Sequence, residues 1–191
     1  MATNLKNIEN FFEENINITV PASTNVSLYP KTPDEIIKKA KDLGIGIFPL
    51  DIYCVIKKIF SIKIYETDIG KDVSGFLEKI GNTWAIYVNR NESEYRKRFT
   101  LAHELGHYIL HREIPNNSLA FRDQIFFRDE NTSPQEKEAN KFAANLLMPQ
   151  DDFLKAIKDG DNTILKLADK FKLSTAAVRY RAYQLGLIKS Y

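Results

Sequence analysis

The sequence predicts an α+β fold: a small twisted antiparallel or mixed sheet set against a helical core, with a helical pair at the C-terminus. Three observations lead there. Two capped helical segments lie between Thr32 and Phe60. The apolar period then shortens to about two through Ile62–Tyr65, Val73–Ile80 and Thr83–Asn89, as strands require. A helical period returns over Arg98–His111 and again after Ser133.

Taken in order, Leu5–Asn15 reads as a short helix with Ile8, Phe11 and Phe12 on one side, and residues 16–31 as extended, broken by Pro21, Ser23 and Pro30. Thr32 then stands as N-cap, with Pro33 in the first turn and Glu35 at the capping-box position. This helix carries Ile36, Ile37, Ala40 and Leu43 and stops at Gly44, and Asp51 caps a second one through about Phe60. Gly81-Asn82 turns the second strand into the third, giving a hairpin. A charged link from Arg90 to Lys97 leads into the next helix.

Composition narrows the class. With 191 residues there is room for one core and a small appended module. A net charge of +2 is too small to argue for nucleic acid by itself. The single Cys54 rules out an internal disulfide and a cysteine-based zinc site, and its apolar setting makes it a buried structural thiol. Met1–Leu5 opens no signal-peptide core and no apolar run approaches membrane-spanning length, so a cytoplasmic, soluble protein with no membrane partner is expected.

The chemistry concentrates in His103-Glu104-Leu105-Gly106-His107. Helical residues four apart lie about 40° apart around the axis and about 6 Å along it, so His103 and His107 can offer two imidazole nitrogens to one ion. Glu104 falls about 60° beyond His107, placed to reach a water on that ion without ligating it. Apolar residues on several sides (Phe99, Leu101, Ala102, Leu105, Ile109, Leu110) predict a buried helix, where such polar groups need partners. Two His ligands and a general base are the parts of a zinc hydrolase.

A catalytic zinc ordinarily takes a third protein ligand. His111 is poorly placed, about 12 Å along the axis from His103 on an unbroken helix, and is read as a packing or supporting residue. Ser133-Pro134-Gln135-Glu136 starts a second helix on which Glu136 shares the apolar face with Leu147, Ala139 and Ala143, while Asn140 lies at its edge. Ala139 and Ala143 are small enough for a close approach to the histidine helix, with Gly106 as the meeting point. Glu138 falls at about 200° from Glu136, on the solvated face. Glu136 is therefore the favoured third ligand, and Asn140 a candidate to orient one of the histidines.

Arg98–His107 and Glu136–Pro149 together closely resemble the ImmA/IrrE family of metallopeptidases, whose second block has the form E-x-x-A-N-x-F-A-x-x-L-L-M-P. The resemblance extends over about residues 33–188, taking in Ile45–Asp51, Ser74-Gly75 and Ala85–Asn89. The resemblance implies a zincin-like core over residues 32–150; residues 1–31, which it does not reach, are read as an arm, and residues 151–191 as a helical, helix-turn-helix-like segment. It implies zinc, one per chain and with manganese as the alternative ion, held by His103, His107 and Glu136, with Glu104 as the catalytic base. The implied activity is a zinc endopeptidase whose protein substrate is a helix-turn-helix repressor, cleaved to relieve repression. The hairpin edge near Ser74-Gly75-Phe76 is a candidate to hold substrate as an added strand, and Tyr108 and His111 are nearby candidates for stabilising the oxyanion.

Leu165–Ile188 resembles a helix-turn-helix, with Ser174 capping the second helix. Arg179, Arg181, Lys170 and Lys172 are candidates to touch DNA phosphates, but a helical pair completing the fold is the favoured reading. The rival to an enzyme is a regulatory protein- or DNA-binding module with a structural or vestigial metal site.

Overall fold

Thr32, Pro33 and Glu35 do what their spacing predicts. The Thr32 hydroxyl accepts from the Glu35 amide at 3.3 Å, the Glu35 carboxylate accepts from the Thr32 amide at 3.2 Å, and α1 (Pro33–Asp42) follows. The computed structural model describes residues 29–113, 120–124 and 133–191; the helix expected over residues 5–15, and the arm before residue 29, lie outside them. The Asp51 carboxylate accepts from the Cys54 amide at 3.0 Å and starts α2 (Ile52–Ile59). Ile52, Val55 and Ile56 take the buried side of α2, which leaves Cys54 half-buried on its flank instead of fully enclosed as expected.

The three expected strands form, as β1 (Lys63–Thr67), β2 (Val73–Ile80) and β3 (Thr83–Asn89). Gly81 turns the β2–β3 hairpin with φ of +61°, a conformation that costs glycine little. β1 lies parallel to β3, and a further strand, β4 (Ala120–Gln124), lies antiparallel to β2. The strand order is β1-β3-β2-β4, a mixed sheet. This corrects one expectation: Gly75 and Phe76 are not on an open edge, because β4 occupies the hydrogen-bonding side of β2 that the hairpin leaves unpaired, with Gly75 opposite Asp123 and Phe76 opposite Arg122.

Leu77, Ile86 and Val88 point from the sheet into the core, against α3 (Glu94–His111). The other face carries Tyr65, Tyr87 and Phe76 stacked across three strands, with ring centroids 5.1 and 4.6 Å apart. α3 begins inside the charged stretch that was expected to be a link. Ser93 takes an extended backbone as N-cap, and Lys97 is buried between Glu66 of β1 and Glu94, at 2.7 and 2.9 Å. Charge there marks an anchored first turn, not a solvated connection.

α4 (Pro134–Leu147) lies against α3, capped by the Ser133 hydroxyl. The two helices meet where the sequence suggested. A Cβ placed on Gly106 would stand 3.2 Å from both the Ala139 Cα and the Phe142 ring. On the sheet side, a Cβ on Gly75 would stand 2.5 Å from the Thr100 methyl and 2.7 Å from the Tyr87 carbonyl oxygen. Only glycine fits at Gly75 without displacing backbone.

The chain ends in α5 (Gln150–Lys158), α6 (Ile164–Phe171) and α7 (Thr175–Gln184), whose apolar residues join the same core as the sheet and α3. Phe153 of α5 stacks on Phe171 of α6 at 5.7 Å. Ser174 caps α7, as expected. Arg181, proposed from sequence as a phosphate contact, is buried instead. Its guanidinium donates to the Met148 carbonyl at 2.9 Å and to the Asn145 side chain at 2.6 Å, where α4 ends. Lys170 and Lys172 pair with Asp161 and Asp169, and Arg179 is exposed.

Among the described residues no helix is long and apolar enough to cross a membrane. Arg181→Ala should lower the unfolding free energy by about 1.5–3 kcal/mol, the scale of buried hydrogen bonds from a charged group, while Arg179→Ala should change it by less than about 0.5 kcal/mol, as surface substitutions do; urea titrations check both. Gly106→Val should cost about 1–3 kcal/mol by overpacking the α3–α4 contact, and an unchanged urea midpoint would mean the helices separate freely.

Candidate metal centre

α3 is buried on nearly every side, between the sheet and α4, and this brings its polar residues out of water. His103, Glu104 and His107 are each 0% exposed. The helical spacing that suggested a shared ligand does bring the rings together: His103 Nε2 and His107 Nε2 stand 2.9 Å apart. Glu136 reaches the same point from the first turn of α4, with its two carboxylate oxygens 3.1 Å from His103 Nε2 and 3.2 Å from His107 Nε2. Its Ser133 cap and Pro134 start the helix so that Glu136 turns to the histidines instead of closing a capping box.

These three side chains form a group that could hold a metal ion, with their donor atoms all within 4.8 Å of one another. Nitrogen, nitrogen and oxygen donors in a tetrahedral zinc site at about 2.0–2.2 Å from the ion stand about 3.3 Å apart, so the observed spacings fit with little adjustment. The charges fit too. Burial works against the ionised form of Glu136, yet the two imidazoles against its oxygens hold its carboxyl well below the usual carboxylate range. A positive charge at this point, whether a shared proton or a cation, keeps the carboxylate ionised. The Glu136 side chain is still 24% exposed, which puts the approach from solvent on its side of the centre.

The surrounding hydrogen bonds orient the rings. His103 Nδ1 lies 2.9 Å from the Asn140 amide oxygen, which can only accept; Nδ1 therefore carries a proton, and Nε2 is the nitrogen this ring can offer a metal. Asn140 has the supporting place that its position on the helix suggested. His111, unsuitable as a ligand from its spacing, is 2% exposed and stacks behind His107, with 3.0 Å between their Nδ1 atoms. Its Nε2 lies 3.0 Å from a carboxylate oxygen of Glu138.

Sequence reasoning missed that last contact. Glu138 does point to solvent, with its side chain 63% exposed, but the side chain is long enough to return to α3. The spacing of His111 four residues after His107, with a second acid two residues after Glu136, was the available signal. Glu104 sits beside β2: its Oε1 is 3.6 Å from where a Cβ on Gly75 would be.

The chain is similar in sequence and in fold to known proteins. The family model described as the IrrE N-terminal-like domain, of peptidase family M78, matches residues 57–183. Metallopeptidase ImmA of Bacillus subtilis (strain 168) is 30% identical over 100 residues, covering 50% of this chain and 51% of that protein. The chain thus spans about half the length of the curated relative it matches. A Mycobacterium tuberculosis transcriptional regulator of known structure superposes with a TM-score of 0.52 at 17% identity, over 78% of this chain and 45% of the regulator, a likeness of fold alone. The family model takes in most of the described chain, from α2 through α7 and including both helices that build the centre, so this chain belongs to the ImmA/IrrE-type peptidase family.

Proposed function

We propose that the protein is a zinc endopeptidase that cleaves a helix-turn-helix repressor and so relieves repression. One observation carries the reading: His103, His107 and Glu136 converge on a single point, with Glu104 buried in the next position along α3. A structural metal site has no use for an unligated acid there. Zinc, one per chain, is the ion we assign to the three donors, on their chemistry and on the family's metallopeptidase character.

When bound, zinc supplies Lewis-acid chemistry, acidifying water toward a pKa of about 7 and polarising a carbonyl. The chain's residues supply the rest. Glu104 takes a proton from the attacking water and delivers it to the leaving amine as the peptide bond breaks. Asn140 keeps the His103 ring turned so that Nε2 faces the centre. The helices on either side of the centre and β2 keep bulk water off all but the Glu136 side. The core built from α3, α4 and the sheet is read as zincin-like.

The repressor substrate is carried over from the family resemblance. The likeness of fold to a transcriptional regulator is compatible with it. DNA binding by α6 and α7 is not favoured, because Arg181 is committed to α4 and Lys170 and Lys172 to acids of their own segment.

Elemental analysis of protein purified without chelator should find about one zinc per chain in the wild type, as a site with three protein ligands requires. His103→Ala, His107→Ala and Glu136→Ala should lose it, and Glu138→Ala should keep it at saturating zinc. A wild type that carries no metal and takes up none from added zinc would sink the peptidase and leave a regulatory binding module. Glu104→Gln should retain zinc and cleave a helix-turn-helix repressor about 10²–10⁴-fold more slowly, the usual loss of a general base; cleavage at the wild-type rate, followed on gels, would remove Glu104 from that role.

A further inference from the structure

We propose that Glu138 and His111 form a relay that fixes His107 in the ring tautomer able to bind a metal, which makes both of them positioning residues of the centre. The inference rests on His107 being a ligand, as proposed above, and adds what makes it one.

The argument is one of donors and acceptors. An ionised carboxylate only accepts, so the 3.0 Å contact between His111 Nε2 and Glu138 requires the proton on Nε2. A neutral imidazole carries one proton, so His111 Nδ1 is then an acceptor. It stands 3.0 Å from His107 Nδ1, which must donate. With Nδ1 committed as a donor to His111, Nε2, which faces Glu136 and His103, is the atom His107 keeps for a metal. The opposite arrangement sets the His111 Nε2 lone pair against a carboxylate oxygen and leaves the His107 proton in the metal's place. Metal-binding histidines are commonly fixed by a carboxylate or carbonyl on their other nitrogen. Here the carboxylate acts through a second, buried histidine.

The two ligand histidines are thus held differently. At Nδ1, His103 meets a neutral amide from α4, whereas His107 meets a two-step relay that ends on an exposed acid of the same helix. That exposure makes Glu138 open to substitution without disturbing the core.

The test is zinc affinity of the full-length chain, measured by competition with a chromophoric chelator, together with long-range proton–nitrogen correlation spectra of the metal-free protein. The chain has three histidines, and all three belong to this cluster, so the spectra report on little else. Glu138→Ala and His111→Phe should weaken zinc binding by about 10–100-fold, the usual loss when such a partner is removed, with one zinc still bound at saturation. Glu138→Gln, whose amide oxygen still accepts from His111, should stay within about threefold of wild type. In the metal-free wild type His107 should carry a proton on Nδ1, whatever Nε2 shares with Glu136, and in Glu138→Ala the occupancy of Nδ1 should fall.

Wild-type affinity in both Glu138→Ala and His111→Phe would overturn the relay, as would a metal-free wild type in which His107 Nδ1 carries no proton. A wild type that binds no zinc would instead overturn the peptidase reading, and the tautomer measurement would still decide the relay.

Discussion

The close contact of α3 and α4 at Gly106 and Ala139 is the constraint on which the centre depends. Glu136 meets the imidazoles from the first turn of α4, which lies close enough because Gly106 adds no side chain of its own against the Ala139 backbone and the Phe142 ring. A side chain at that crossing would press on the Ala139 backbone and the Phe142 ring, the part of α4 one turn from Glu136. A second glycine repeats the device on the opposite side, where Gly75 lets β2 lie directly against the turn of α3 that carries Thr100 and Glu104. α3 is therefore gripped from two sides, and the packing at its two glycine contacts holds its polar residues in one geometry.

That geometry is costly for folding. His103, Glu104, His107, His111 and Asn140 are all buried or nearly so, and taking polar groups out of water carries a desolvation cost that their hydrogen bonds only partly return. The apolar core around them, from Ile36 of α1 to Val178 of α7, supplies the stability that offsets this cost. A cluster of this polarity inside a core departs from what folding alone would choose, and such departures concentrate at functional sites.

Much of this was legible in the sequence, for local reasons. Thr32, Asp51, Ser133 and Ser174 announced four helix starts because a cap needs only neighbours three residues away. The spacing of His103, Glu104 and His107 fixed their common side, and the apolar face of α4 separated Glu136 from Glu138. What stayed hidden depended on partners distant in sequence. β4 shows no strand pattern strong enough to reveal that it pairs with β2, so the β2 edge looked open. Arg181 looked like a phosphate contact because charge in a sequence does not disclose that a helix end nearby offers it a carbonyl. Glu138 looked solvated because a helical wheel gives the direction in which a side chain leaves the backbone, not how far it bends back.

The division of the donor set between two helices has a further consequence. His103 and His107 belong to α3 and Glu136 to α4, so an ion held by all three ties together two points of the chain that follow each other only through the segment after His111. Such a tie acts as a removable cross-link. It closes a loop and takes conformational freedom from the unfolded chain, as a disulfide does, in a protein whose single cysteine can form no internal one.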